Sequence, residues 1–115
     1  MVVDTLAYMF TLAPPKLTTP RSNVVVRIGT MGANFRLPLE HSENAAVRDA
    51  LVGWSRVAKR IWVWDYLTNF PNYVSPWPNY AVMAPNLRFL RSLNVAGVYE
   101  EGDGARTSFC VTLYF

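Results

Sequence analysis

At 115 residues and 13.0 kDa the chain holds one domain at most. Half its residues are apolar (51%) and 14% are aromatic, too many for a disordered chain. The net charge of +3 is spread without runs of like charge, which excludes a nucleic-acid tail and a polybasic membrane anchor. A single cysteine, Cys110, rules out an internal disulfide and a cysteine-rich metal site. The single histidine, His41, lies beside Ser42 and Glu43 and reads as a solvated loop residue, so His-rich zinc sites are excluded and a catalytic triad is disfavoured. No apolar run approaches the roughly 20 residues of a membrane span. The opening "MVVDTLAYMF" lacks a basic leader and is interrupted by Asp4, unlike a signal peptide.

In chain order, "DTLAYMF" (Asp4–Phe10) predicts a first strand, closed by the breaker "APPK" (Ala13–Lys16). "NVVVRI" (Asn23–Ile28) is a continuous β-branched run and predicts a strand buried on both faces, as in parallel sheets. Residues 42–60 carry Val47, Ala50, Leu51, Trp54, Val57 and Ala58 at three- and four-residue steps, one stripe of a helix, with Ser42 or Asn44 as its cap. "RIWVW" (Arg60–Trp64) is a third strand, followed by an aromatic loop over Tyr66–Ala81. "APNLRFLRSLN" (Ala84–Asn94) predicts a second helix with Pro85 in its first turn, and "VAGVYE" (Val95–Glu100) a fourth strand ended by "EGDG". The last three strands begin roughly 36 residues apart, the length of one βα unit with a generous loop. Strands alternating with helices imply an α/β fold with a parallel sheet, whose ligands bind beyond the carboxyl ends of the strands.

Two acids stand at those ends. Side chains alternate along a strand, so Ile61, Val63 and Asp65 share a side, as do Ala96, Val98 and Glu100, while Glu101 points the other way. If the aliphatic members face a barrel interior, Asp65 and Glu100 rise into its mouth. Strands about 4.8 Å apart then bring the two within the roughly 5–9.5 Å used by glycosidases. Each acid also fits a turn former or a helix cap. Arg27 ends the valine run, where a charge needs a partner; it can pair with an acid, grip an anionic substrate or reach solvent. Trp64, Tyr66, Tyr73 and Trp77 fit either packing or a stacking platform for sugar C–H faces. Asn69 and Asn79 fit either sugar hydroxyls or turn caps. Asp103 beside Glu100 and Glu101 makes a weak calcium pattern, and no cofactor motif is present.

These residues resemble a known family. "VDTLAY" (Val3–Tyr8), "PPK" (Pro14–Lys16), "NVVVRI", "GWS" (Gly53–Ser55) and "WVWDYLTNF" (Trp62–Phe70) carry the likeness in the first part of the chain. "PWPN" (Pro76–Asn79), "APNLRFL" (Ala84–Leu90) and "VAGVYEEG" (Val95–Gly102) continue it. Together they resemble DUF4838, a family that looks related to glycoside hydrolases of the (β/α) barrel type, α-glucuronidases among them. The resemblance implies a carbohydrate-active barrel acting on a glycan, with Asp65 and Glu100 as site acids and Tyr8, Arg27, Tyr66 and Asn69 in its mouth. An α-glucuronidase-like substrate carries a carboxylate, which Arg27 would hold in a bidentate fork. Residues 1–102 then form a partial TIM-barrel-like (β/α)8 domain of about four strands, and 103–115 a divergent tail. A full barrel takes roughly 200 residues or more. The expected partner is therefore the remainder of a larger barrel or a second copy, and the alternatives to an enzyme are a non-catalytic carbohydrate-binding module or a truncated, inactive product.

Overall fold

Apolar residues alternate along each strand, and this sorts the sheet into two unlike faces. The computed structural model describes residues 1–102 and 111–115, and of Val111 the backbone only. Five strands form one sheet in the order β1 (Val3–Ala7), β2 (Val24–Gly29), β3 (Ile61–Tyr66), β4 (Gly97–Glu101), β5 (Val111–Tyr114). The first four run parallel and β5 runs antiparallel against β4. Helix α1 (Ala45–Val57) connects β2 to β3, and α2 (Met83–Ser92) connects β3 to β4. The chain is thus an α/β domain with a mostly parallel sheet, and its radius of gyration of 14.1 Å is close to the roughly 13 Å of a folded domain this long.

One face is aliphatic. Val26, Ile28, Ile61, Val63 and Val98 form a single buried cluster with Val47, Leu51 and Trp54 of α1 and Leu90 of α2. The register aligns them in rows, with Val26 beside Ile61 and Ile28 beside Val63, itself beside Val98. The helix stripe read from the sequence packs here. The other face carries the alternate residues: Leu6, Arg27, Trp62, Trp64, Tyr66, Tyr99 and Glu101. This corrects the expectation that β2 is buried on both sides. Val26 and Ile28 are fully buried, whereas Val24, Val25 and Arg27 are half-buried, because helices cover one face only.

The boundaries differ from the expected ones for local reasons. β1 stops at Ala7, not Phe10, because Met9 takes a left-handed φ of 51° and opens a 3-10 turn (Met9–Thr11). Thr11 holds that turn, its hydroxyl donating to the Tyr8 carbonyl and accepting from the Tyr8 N–H. Residues 42–44 form a 3-10 turn before α1, which ends at Val57 because Ala58 is already extended. β3 runs two residues beyond Trp64, so Asp65 and Tyr66 lie within the strand. α2 ends where Asn94 adopts φ 57°, a conformation Asn tolerates at a helix C-terminus. The tail expected over 103–115 is structured at its end, since β5 pairs with β4; residues 103–110, Asp103 and Cys110 among them, lie outside the described residues. Among the described residues no helix is long and apolar enough to cross a membrane.

β5 depends on a glycine. A Cβ on Gly97 would sit 2.7 Å from the Leu113 carbonyl oxygen and 2.9 Å from the Trp62 ring. Trp62 lies across this gap and meets Tyr114 edge-on at 5.2 Å. Gly97→Ala is therefore expected to lower stability by about 1–3 kcal/mol and to shift the tryptophan emission in a urea titration. An unchanged midpoint and spectrum would mean that β5 does not lie against β4 as described.

Candidate functional site

At the carboxyl ends of the first four strands, the face away from the helices dips into a cleft of about 220 Å³. Leu6, Tyr8, Gly29, Met31, Trp64, Tyr66 and Glu101 line it. Strand register explains the gathering: Gly29 pairs with Trp64, and Tyr66 pairs with Glu101. The Tyr8 side chain crosses Gly29 closely, and a Cβ there would lie 3.1 Å from the Tyr8 Cβ, so Tyr8 would have to shift to admit one.

Within the cleft Trp64 Nε1 donates to Glu101 Oε2 at 2.7 Å, a diagonal contact between neighbouring strands. The Trp64 ring is braced edge-on by Tyr99 at 5.0 Å. Tyr66 is held edge-on between Phe35 at 6.0 Å and Phe70 at 5.9 Å. Burial, followed by the nearby Glu101, Asp65 and Tyr8, pushes the Tyr66 phenol above its ordinary range, so it remains a neutral donor. The site offers aromatic surface, two phenol hydroxyls and one carboxylate.

The expected acid pair lies on the opposite side of the same strands. Asp65 and Glu100 are paired in register and, at 7% and 3% exposure, both are buried on the helix-covered face beyond Val63 and Val98. The Thr30 hydroxyl donates to Asp65 Oδ1 at 2.5 Å. Burial pushes the Asp65 carboxyl up, and the hydrogen bonds from Thr30 and the Tyr66 backbone oppose that rise. Glu100 is pushed up to about 8, by burial first and the neighbouring Asp65 second, and its Oε2 has no hydrogen-bond partner. Asp65 accepts hydrogen bonds that favour its charged form and Glu100 Oε2 accepts none, while burial pushes both carboxyls up.

The other expected residues are dispersed. Arg27 is bound to Asp4 in an ion pair and lies over the Trp62 and Trp64 rings at 6.0 and 5.9 Å, so it does not line the cleft. Asn69 is half-buried, and its carbonyl closes a turn with the Asn72 N–H at 2.9 Å. Trp77 packs on Phe35 at 5.0 Å, with its ring nitrogen buried and unpartnered. Asn79 is buried and donates to the Tyr66 carbonyl at 3.0 Å, securing the loop to the end of β3. Tyr8, Trp64 and Tyr66 do meet in the cleft. Glu101, expected only to point away from Glu100 and to flank a weak calcium pattern with Asp103, lies in the cleft. The signal that would have singled it out is the α1 stripe, which needs the aliphatic face of the sheet and leaves the Trp–Tyr–Glu face open. Among the described residues there is no group of three or more His, Cys, Asp or Glu able to hold a metal ion.

No curated protein and no solved structure matches the chain. A family model does, over residues 1–112, nearly the whole length. The match includes all four parallel strands and every residue of the cleft, and on it the chain belongs to DUF4838, a domain of unknown function.

Proposed function

We propose that this chain is a carbohydrate-active, glycoside-hydrolase-like domain, and that a sugar ring occupies the cleft between Tyr8, Trp64, Tyr66 and Glu101. The observation that carries the reading is the pairing of aromatic walls with one hydrogen-bonded carboxylate at the carboxyl ends of parallel strands, where α/β folds bind ligands. Sequential strand order with helices on one face also supports an arc of a (β/α) barrel, since doubly wound sheets carry helices on both faces. The antiparallel β5 departs from that pattern.

In the hydrolytic form of this reading, strand-end carboxylates cleave a glycosidic bond, with Glu101 in contact with substrate and Asp65 and Glu100 behind it. Glycosidases of the two-carboxylate type set both acids against the substrate. The burial of Asp65 and Glu100 on the far face therefore favours a second reading, sugar binding without turnover.

A glycan-array screen followed by assay of reducing-sugar release distinguishes the two. Retention of a glycan by the native chain and its loss in Trp64→Ala are expected. Release abolished by Glu101→Gln supports hydrolysis at the cleft, and release abolished only by Asp65→Asn moves the chemistry to the buried pair. Retention without release supports the binding module, and retention of no glycan overturns the proposal.

A further inference from the structure

The charge of the cleft bears on which sugars it can take, and this inference rests on the carbohydrate reading above. Among the residues that line the cleft, Glu101 is the one with a formal charge, and that charge is negative. Trp64 donates to Glu101 Oε2, which orients the carboxylate in the cleft. Among the described residues no lysine or arginine lines the cleft. Arg27, two residues before Gly29 on the same sheet face, is already neutralised by Asp4 and covered by two indole rings. The hydroxyls of Tyr8 and Tyr66 offer neutral polar contacts beside the rings. The volume of about 220 Å³ lies below the roughly 300–1,000 Å³ of sites for drug-sized ligands, so it suits one ring rather than an oligosaccharide.

We propose that the cleft binds a single uncharged pyranose ring at a glycan end and discriminates against a uronic acid. The apolar C–H face of the ring stacks on Trp64, and a ring hydroxyl donates to the Glu101 carboxylate. A C6 carboxylate would be placed against Glu101 with no cation among the described lining residues to compensate. Two like charges within a few ångströms, partly shielded from water, cost at least tenfold in affinity.

The test is quenching of tryptophan fluorescence in the full chain by methyl glycosides of glucose, galactose, mannose and xylose, compared with those of glucuronic and galacturonic acid. The best neutral glycoside is expected to bind at least tenfold tighter than either uronide in low salt. That ratio should fall to about twofold in Glu101→Gln and should narrow in native protein at about 1 M salt, where charge repulsion is screened. The salt series keeps the inference testable if the variant does not fold. A uronide that binds as tightly as the best neutral sugar overturns the inference and leaves the carbohydrate reading standing. A ratio unmoved by both the variant and salt also overturns it. Failure of every glycoside to bind overturns both.

Discussion

Glu100→Gln is expected to stabilise the protein above neutral pH and to leave it little changed near pH 5. Glu100 has a folded-state value of about 8, against an ordinary 4.5. Between those values the folded state holds a proton that the unfolded state has released, so stability falls as pH rises across the interval and stays low above it. The raised value of Asp65 acts in the same direction. At pH 9 the native protein must keep two adjacent carboxylates ionised on a face sealed by helices, at a cost of several kcal/mol at most. Glutamine has nearly the same shape and never ionises. Urea unfolding of both proteins at half-unit steps from pH 5 to 9 should give curves that diverge as pH rises, with the variant more stable at the alkaline end. Parallel curves would mean that Glu100 titrates normally.

Asn44→Ala is expected to destabilise the fold by about 3 kcal/mol, because one fully buried amide organises the loop before α1. Asn44 is 1% exposed. Its Nδ2 donates to the carbonyls of Asn34, Leu37 and Pro38 at 3.2, 3.2 and 2.9 Å, and its Oδ1 accepts from the Asn34 N–H at 2.7 Å. Removal of the side chain strands several of these backbone groups away from water. Asn44→Asp should be worse than alanine, since it turns an oxygen toward three carbonyls and adds a charge. Thermal and urea unfolding of the three proteins check the order native, Ala, Asp. A loss under about 1 kcal/mol in Asn44→Ala would show that solvent reaches the loop.

Asn44 also illustrates what the amino-acid sequence cannot convey directly. It sits where a helix cap is expected, yet its side chain makes no capping bond and reaches back to Asn34. Periodicity is a local signal, and it made β2, β3, α1, α2 and β4 readable to within a few residues. Which face of the sheet the helices cover is a tertiary fact. The alternation of Ile61, Val63 and Asp65 against Trp62, Trp64 and Tyr66 was visible, but the aliphatic set is the one that packs on Val47, Leu51 and Trp54. Asp65 and Glu100 follow the aliphatic set under the helices, while Glu101 shares the cleft with Trp64. β5 escaped notice because its four residues follow a segment with no clear period, and its place depends on the gap at Gly97. Arg27 was read as needing a partner. That the partner is Asp4 follows from the pairing of β1 with β2, which sequence spacing does not specify.

The one-sided helix layer gives neighbouring residues in a strand different obligations. In β3, Ile61 and Val63 answer to the core, while Trp62 and Trp64 answer to whatever occupies the open face. The open face can thus diversify without disturbing the fold, because each change there falls between two residues that hold the sheet to its helices. Relatives would differ mainly at every second position of these strands, and a saturation library would show tolerance rising and falling with a period of two.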